Sequence, residues 1–159
     1  MKTCNLTQAG RAAAFACALS CLGFTAAVPA RAALGDTAAV PAGAALRSVG
    51  GGAGRVVSYV DDNGTTINAY VGSATGTVFA YTWQGPAQPN VEALLGRYAA
   101  DWRSAAAALH ATGRNGLHAA RVDGAQVVVE TAGGHMRAYA GRAWLPAALP
   151  AGVSAGDLQ

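Results

Sequence analysis

Alternating apolar and polar positions after residue 54 predict a three-stranded meander. Residues 56–60 alternate as in a strand and lead into Asp61-Asp62-Asn63-Gly64. Asn-Gly between two β-type runs favours a hairpin, because both turn positions tolerate positive φ. Residues 65–71 then form the second strand and, after a turn at 72–76, residues 77–83 form the third. Phe79, Tyr81 and Trp83 are predicted to project to one face, since side chains alternate along a strand.

A single amphipathic helix is predicted after this meander. Residues 84–89 contain two prolines, which cannot donate to a sheet, and Asn90 is a suitable helix cap. Apolar residues then recur at helical spacing as far as about Ala111, and Gly113 is placed to end the helix. The predicted buried positions of the helix are Val91, Leu94, Leu95, Tyr98, Trp102, Ala105, Ala106 and Leu109.

A second meander is predicted over residues 117–142. Asp123-Gly124 and Gly133-Gly134 are interpreted as two-residue turns between strands 117–122, 125–131 and 135–142. This register places Arg121 opposite Gln126, and Glu130 opposite Arg137. The predicted core face carries Val122, Val127, Val129, Met136, Ala138 and Ala140, and the wet face carries Arg121, Gln126, Glu130, His135 and Arg137.

The element order is therefore βββ-α-βββ, and the predicted fold class is α+β. We expect an antiparallel sheet made of two three-strand meanders, curved around or packed against one long amphipathic helix.

Residues 1–32 are predicted to be a signal peptide. A polar start with Lys2 and Arg11 precedes an apolar run over residues 12–28, and Ala30-Arg31-Ala32 has small residues at the two positions that a signal peptidase reads. Cleavage between Ala32 and Ala33 predicts a periplasmic or secreted protein with no transmembrane segment. Two alternatives are a retained anchor, for which the run is short, and lipidation at Cys21.

Cleavage at that point changes the composition of the chain. All three cysteines, Cys4, Cys17 and Cys21, lie in the leader, so the mature chain is cysteine-free. The leader also holds Lys2, Arg11 and Arg31, whose loss brings the formal charge of +3 close to zero. This balance argues against nucleic acid as a partner. The remaining chain is divided into an extended Ala/Gly-rich lead-in of weak order at 33–54, one α+β domain at 55–150 and a C-terminal tail at 151–159.

The residues give little support to catalysis. A metal site needs several of His110, His118, His135 and the carboxylates to converge, and the predicted register separates His118 from His135. No serine lies in a Gly-x-Ser-x-Gly elbow. Each core carboxylate has a structural use: Glu92 at a helix start, Asp101 beside Arg97, and Glu130 opposite Arg137. We therefore predict no catalytic residues, no metal and no cofactor.

Flat aromatic and polar groups remain as a candidate binding surface at the end of the sheet. Its members are Trp83, Gln84, His135, Arg137, Arg142 and Trp144. Such groups hold a sugar or a peptide by stacking and bidentate hydrogen bonds. The alternative is structural, with Trp83 and Trp144 packed against Trp102 and the arginines paired with acids. If Arg142 only binds ligand, then Arg142→Ala should leave the melting temperature nearly unchanged.

Two sequence blocks resemble a known family. The first covers residues 76–86, Gly-Thr-Val-Phe-Ala-Tyr-Thr-Trp-Gln-Gly-Pro, with Pro89, Leu94, Leu95, Gly96 and Tyr98 beyond it. The second covers residues 133–146, Gly-Gly-His-Met-Arg-Ala-Tyr-Ala-Gly-Arg-Ala-Trp-Leu-Pro. Both are similar to the small exported proteobacterial proteins of domain-of-unknown-function family 2844. The resemblance implies a secreted or periplasmic single domain, and it supplies no activity.

Three functions are consistent with these observations. The first is a non-enzymatic exported accessory module that binds an envelope glycan, a peptide or a partner protein. The second is a small periplasmic hydrolase using His135 together with an acid. The third is a secreted structural or interaction protein without a ligand pocket.

Overall fold

In the computed structural model the chain forms a seven-stranded antiparallel sheet and one helix. The structure describes residues 32–38, 46–113, 119–135 and 138–159. The strands are β1 Leu46–Val49, β2 Gly54–Val60, β3 Thr66–Gly72, β4 Val78–Gly85, β5 Ala119–Asp123, β6 Val128–His135 and β7 Ala138–Trp144. Their order across the sheet is β1-β2-β3-β4-β7-β6-β5, so β7 returns to pair with β4 and the sheet stays open. The predicted α+β class and its two meanders are confirmed.

The predicted helix is confirmed over its full length. It consists of α1 Val91–Leu95 and α2 Ala99–Ala111, joined by a 3-10 turn at Gly96–Tyr98. The Asn90 side chain caps the start by accepting from the Ala93 N–H at 3.0 Å. The helix ends just before Gly113, which has φ 66° and donates its N–H to the His110 carbonyl. Among the described residues, no helix is both long and apolar enough to cross a lipid bilayer.

The helix packs on one face of the sheet, here called the helix face. Leu94, Leu95 and Ala99 meet Tyr81 and Trp83 of the sheet in one buried cluster. Other members of the cluster are Ile67, Ala69, Val71, Val78, Val91, Val127, Val129, Ala143 and Leu145. Val129 and Leu95, both expected in the core, are buried. The later part of α2 is only half covered, because Trp102, Ala105, Ala106 and Leu109 keep intermediate exposure.

The lead-in contributes more than its composition predicted. Leu34 is fully buried, its N–H donates to the Leu94 carbonyl at 2.8 Å, and Thr37 bridges to Thr77. Residues 46–49 form β1, which pairs with β2. The expectation of weak order is therefore wrong for these two pieces, because backbone pairing orders a segment that has few large side chains. Residues 39–45 of the lead-in lie outside the described part of the chain.

The opposite face of the sheet is half covered by the C-terminal segment, residues 149–159, and is here called the tail face. Val153 and Leu158 pack against Val56, Tyr70 and Trp144 in a second buried cluster. Tyr70 donates its hydroxyl to the Gln159 carbonyl and accepts from the Gln159 N–H, which fixes the end of the segment. The segment thus completes the core from the side opposite the helix.

Phe79 was predicted to share a face with Tyr81 and Trp83, and this is wrong. Tyr70 pairs with Ala80 and Val71 with Val78, so Phe79 is one extra residue in β4. A bulge of this kind interrupts the two-residue alternation of side chains. Phe79 consequently lies in the tail-face cluster, with its ring 6.0 Å from that of Tyr70.

The predicted registers of the second meander are also wrong. Arg121 pairs with Glu130 rather than Gln126, because residues 124–127 form a longer turn in which Gly124 donates to the Val127 carbonyl. Glu130 pairs with Arg142 rather than Arg137, because Gly133-Gly134 is not the turn: His135 pairs with Ala138. Ala138 and Ala140 therefore share the face of Glu130 rather than that of Val129. Residues 136–137, and with them Met136, lie outside the described residues.

Two of the roles expected of carboxylates also differ. Arg97 was expected to pair with Asp101, but its Nη2 contacts Asp36 Oδ1 at 2.6 Å. The Asp101 carboxylate instead accepts N–H bonds from Ala125 and Gln126 at 3.1 and 2.9 Å. These bonds tie α2 to the turn between β5 and β6. Glu92 does lie in the first turn of the helix, as predicted.

Candidate functional site

A continuous row of polar residues crosses the tail face from β2 to β5. Consecutive members are direct cross-strand partners, and such partners lie close enough for their side chains to interact. In strand order they are Ser58, Asn68, Thr82, Arg142, Glu130 and Arg121. We call this set the polar row. It lies next to the part of the tail face that the C-terminal segment covers.

Amides and hydroxyls form the first half of the polar row. Ser58 Oγ donates to Asn68 Oδ1 at 2.6 Å, and Asn68 Nδ2 donates to Thr82 Oγ1 at 3.1 Å. Thr82 is buried although it is polar. Burial of a polar group is tolerated when it has a hydrogen-bond partner. These bonds hold the side chains of three neighbouring strands in one arrangement.

Charged groups form the second half. Glu130 accepts from Arg142 Nε at 2.6 Å through one carboxylate oxygen and from Arg121 Nη1 at 2.7 Å through the other. Arg121 also donates to Asp123, at 3.0 Å from its Nε. Hydrogen bonding to Asp123 raises the pKa of the Arg121 guanidinium, and the same contact lowers the pKa of Asp123. The two arginines and the two carboxylates balance one another in formal charge.

Trp144 lies beneath these guanidiniums. The Cζ atoms of Arg121 and Arg142 stand 5.6 and 5.3 Å from its ring centroid, within the range of cation–π attraction. Arg142 Nη1 also donates to the Ala155 carbonyl at 2.7 Å. Arg142 therefore joins the polar row, the tryptophan and the C-terminal segment.

A second row lies one step further from the C-terminal segment. Its members are again successive cross-strand partners, from β3 to β5: Thr66, Gln84, Ala140, Ala132 and Ala119. All five are exposed. The three alanines have only a methyl group as their side chain, so the surface of the sheet is less raised here than along the polar row. We call this set the alanine row.

The two rows form the floor of a groove of about 840 Å³. Leu158 and Gln159 of the C-terminal segment line its side. The volume falls within the range of about 300–1,000 Å³ typical of small-molecule sites. The groove presents hydroxyl, amide, guanidinium and carboxylate groups beside a strip of exposed methyls.

The structure brings together only part of the predicted binding surface. Trp83, Gln84 and Arg142 line the groove, although the Trp83 side chain packs in the helix-face cluster. Trp83 and Trp144 are each 3% exposed and belong to different clusters, on the helix face and the tail face. Trp83 packs in the same cluster as Trp102, as the structural alternative expected. Trp144 does not; its ring is covered by the guanidiniums of Arg121 and Arg142. The side chain of His135 and all of Arg137 lie outside the described residues.

Several groove residues were missed by the sequence analysis. Asn68 and Thr82 interrupt runs of apolar residues in β3 and β4, at Ile67-Asn68-Ala69 and Tyr81-Thr82-Trp83. Polar residues inside otherwise apolar strands were the available signal. Arg121 and Glu130 were assigned correctly to the wet face, but their cross-strand partners could not be identified without the correct register. Among the described residues, no three His, Cys, Asp or Glu side chains group as metal ligands would.

Comparison with known proteins gives one match. Residues 30–158 match the sequence model of a family described as "Protein of unknown function (DUF2844)". No curated protein and no solved structure matches the chain.

Proposed function

Since the matched region covers most of the sequence, the chain belongs to the DUF2844 family, and we propose that it is an exported, non-enzymatic binding module of the bacterial cell envelope. The groove on the tail face is its ligand site. The family description assigns no activity, so the proposal depends on the geometry of the groove and on the predicted leader.

The observation that carries the proposal is the ordered polar row beside an exposed alanine row. Side chains from six strands are aligned by their register and held by hydrogen bonds before any ligand is present. Pre-ordered side chains lose little conformational freedom on binding, which favours recognition. A structural protein without a pocket would not need this arrangement.

The same contacts favour binding over turnover. Catalysis needs a base or nucleophile positioned to act on a substrate. Both oxygens of Glu130 already accept hydrogen bonds from guanidiniums, so this carboxylate is engaged by protein groups rather than held ready for a substrate. The hydrolase alternative needs His135, whose side chain lies outside the described residues. It therefore stays a hypothesis based on the sequence.

Export is proposed from the leader. A small-residue cleavage site at Ala30-Arg31-Ala32 would release a chain that begins at Ala33, one residue before the buried Leu34. The ligand would then be met in the periplasm or outside the cell.

The proposal is tested by sedimentation of the purified protein with isolated cell-envelope fragments. We expect the parent protein to sediment with the envelope. Ala132→Trp, which fills the groove from the alanine row, should reduce the bound fraction about tenfold or more. Ala107→Trp on the exposed side of α2 is the matched control and should bind like the parent. Equal retention of the parent and Ala132→Trp, or a parent that stays in the supernatant, overturns the proposal.

A further inference from the structure

We infer that the ligand of the groove is an uncharged oligosaccharide, which rests on the alanine row and forms hydrogen bonds with the polar row. The inference deepens the proposed function and rests on it, because it names the chemical class bound at the same site.

The alanine row offers a flat apolar strip. Ala140, Ala132 and Ala119 stand side by side on three neighbouring strands and are all exposed. Strands in a sheet are about 4.8 Å apart, so the strip is about 10 Å long. Gln84 continues the row on β4 with a longer polar side chain. A strip of this kind fits the C–H face of a sugar ring, whose hydroxyls point outward around the rim.

The charges of the groove balance one another. Arg121 and Arg142 are opposed by Glu130 and Asp123 through contacts of 2.6–2.8 Å. An anionic ligand would have to compete with Glu130 for the guanidiniums, and a cationic ligand would meet the guanidiniums themselves. Charge complementarity thus favours an uncharged ligand over phosphate, nucleic acid or an acidic polymer.

Hydrogen-bonding capacity remains in the groove. The bonds found among the described residues use three of the five N–H groups of Arg121, through Nε, Nη1 and Nη2. Thr66 and Gln84 add an exposed hydroxyl and an exposed amide on the same side. Sugar hydroxyls both donate and accept, so they match a mixed set of amide, hydroxyl and guanidinium groups.

A peptide ligand fits this surface less well. Extended peptides commonly bind a sheet by adding a strand at its edge, where main-chain groups are available. The groove instead lies on the face of the sheet, over β3, β4, β7, β6 and β5, and of these five strands only β5 is at an edge. A peptide lying in the groove would therefore be held mainly by side chains, on a strip of methyls.

The test is an NMR titration of the purified protein with four probes. N,N′,N″-Triacetylchitotriose and maltotriose are uncharged trisaccharides, trigalacturonate is a charged one, and a neutral hexapeptide represents the other ligand class. We expect an uncharged trisaccharide to shift the backbone amide signals of Gln84, Ala132 and Ala140 in a saturable way. Trigalacturonate and the peptide should leave these signals in place.

Variants assign the effect to the groove. Ala132→Trp and Gln84→Ala should each weaken trisaccharide binding about tenfold or more. Ala107→Trp on α2 should bind like the parent. Thermal unfolding shows whether each variant is folded. If Ala132→Trp does not fold, Gln84→Ala still tests whether the ligand binds in the groove.

The outcomes separate the inference from the proposed function. Groove shifts with trigalacturonate or the peptide, but with neither uncharged sugar, overturn the ligand class and leave the groove as a binding site. Absence of groove shifts with every probe also overturns the carbohydrate inference. The proposed function is overturned by a different result: in the sedimentation experiment, folded Ala132→Trp would be retained on the envelope as strongly as the parent.

Discussion

Arg142 connects more parts of the molecule than any other side chain of the polar row. It pairs with Glu130, donates to the Ala155 carbonyl and covers the Trp144 ring. Its side chain is only 31% exposed. These contacts give Arg142 a structural role at the border of the groove in addition to its candidate role in binding. The loss of Arg142 should therefore affect stability, in contrast to the prediction from the sequence.

We therefore predict that Arg142→Ala lowers the free energy of unfolding by about 2–3 kcal/mol, because a charged hydrogen-bonding group is lost beside Glu130. The matched control is Arg47→Ala, which removes an exposed arginine with a longer contact of 3.4 Å to the Gln159 carbonyl. That change should stay within about 0.5 kcal/mol. Urea unfolding measures both, and equal midpoints for the two variants would contradict the structural role.

Gly141 shows a second requirement at the residue scale. A Cβ built on it would lie 2.3 Å from Cζ2 of Trp83 and 2.6 Å from the Glu130 carbonyl oxygen. The indole of Trp83 thus packs directly against the backbone of β7. A methyl group at this position has to displace a buried ring or a neighbouring strand.

Gly141→Ala should consequently destabilise the fold by about 1–3 kcal/mol through overpacking. Gly156→Ala is the control, since its Cβ would meet only Ser154 Oγ at 3.5 Å. Thermal and urea unfolding of the two variants provide the comparison. Wild-type stability of Gly141→Ala would show that Trp83 does not seal the sheet at this point.

At the element scale, a single carboxylate ties α2 to the sheet. Asp101 accepts N–H bonds from Gln126, Ala125 and Val127 in the turn between β5 and β6. These bonds lower the pKa of Asp101 below its ordinary value, and the bond from the Gln126 N–H has the largest effect. The folded state thus favours the ionised carboxylate more than the unfolded chain does.

The sign of the pH dependence follows from this lowered pKa. The contribution of Asp101 is fully present above the unfolded pKa, near pH 4, and is lost as pH falls through the lower folded pKa. We expect Asp101→Asn to be less stable than the parent at pH 7, and the difference to shrink in acid. Asp62→Asn, in the exposed β2–β3 turn, controls for the loss of one negative charge. A difference that is constant from pH 7 to pH 3 would contradict the assignment.

Six of the seven strands and the helix could be predicted from the sequence because each has a periodic pattern and clear breakers, whereas β1 lies in the Ala/Gly-rich lead-in and could not. Turn lengths could not, because glycine serves more than one purpose. Gly133 was interpreted as a turn residue, yet it lies in β6, where a Cβ would be 2.4 Å from the Ala138 carbonyl oxygen. Close approach of two strands and a φ of 141° at a register irregularity, not a two-residue turn, require glycine there. The resulting shift of register replaces Arg137, the predicted partner of Glu130, by Arg142.

At the scale of the whole molecule, the described residues form a sheet with the helix packed on one face and the C-terminal segment on part of the other. In the sequence, residues 151–159 were interpreted as a C-terminal tail outside the domain, although they include Val153 and Leu158. The structure buries both. Leu158 and Gln159 of this segment line the side of the groove. Its shape thus depends on a long-range contact that no local pattern shows.

Leu158→Ala tests this arrangement. Leu158 is 2% exposed, so its truncation should cost about 2–5 kcal/mol. It should also weaken ligand binding, because Leu158 lines the groove. Leu46→Ala is the control, since Leu46 is 45% exposed in β1. Both effects are measured by urea unfolding and by the trisaccharide titration, and a neutral Leu158→Ala would show that the segment is not part of the core.

The last prediction concerns the form in which the molecule works. Intact-mass analysis of the exported product should give a chain that starts at Ala33, and reductant should not change its melting temperature, because all cysteines precede residue 22. The new terminus would carry a charged amino group beside Asp36, whose carboxylate already accepts from the Ala33 N–H at 3.3 Å. Leu34, fully buried next to it, would hold this terminus on the helix. A product that starts at Cys21 and carries acyl mass would show instead a lipid-anchored protein, bound to the membrane before it meets any ligand.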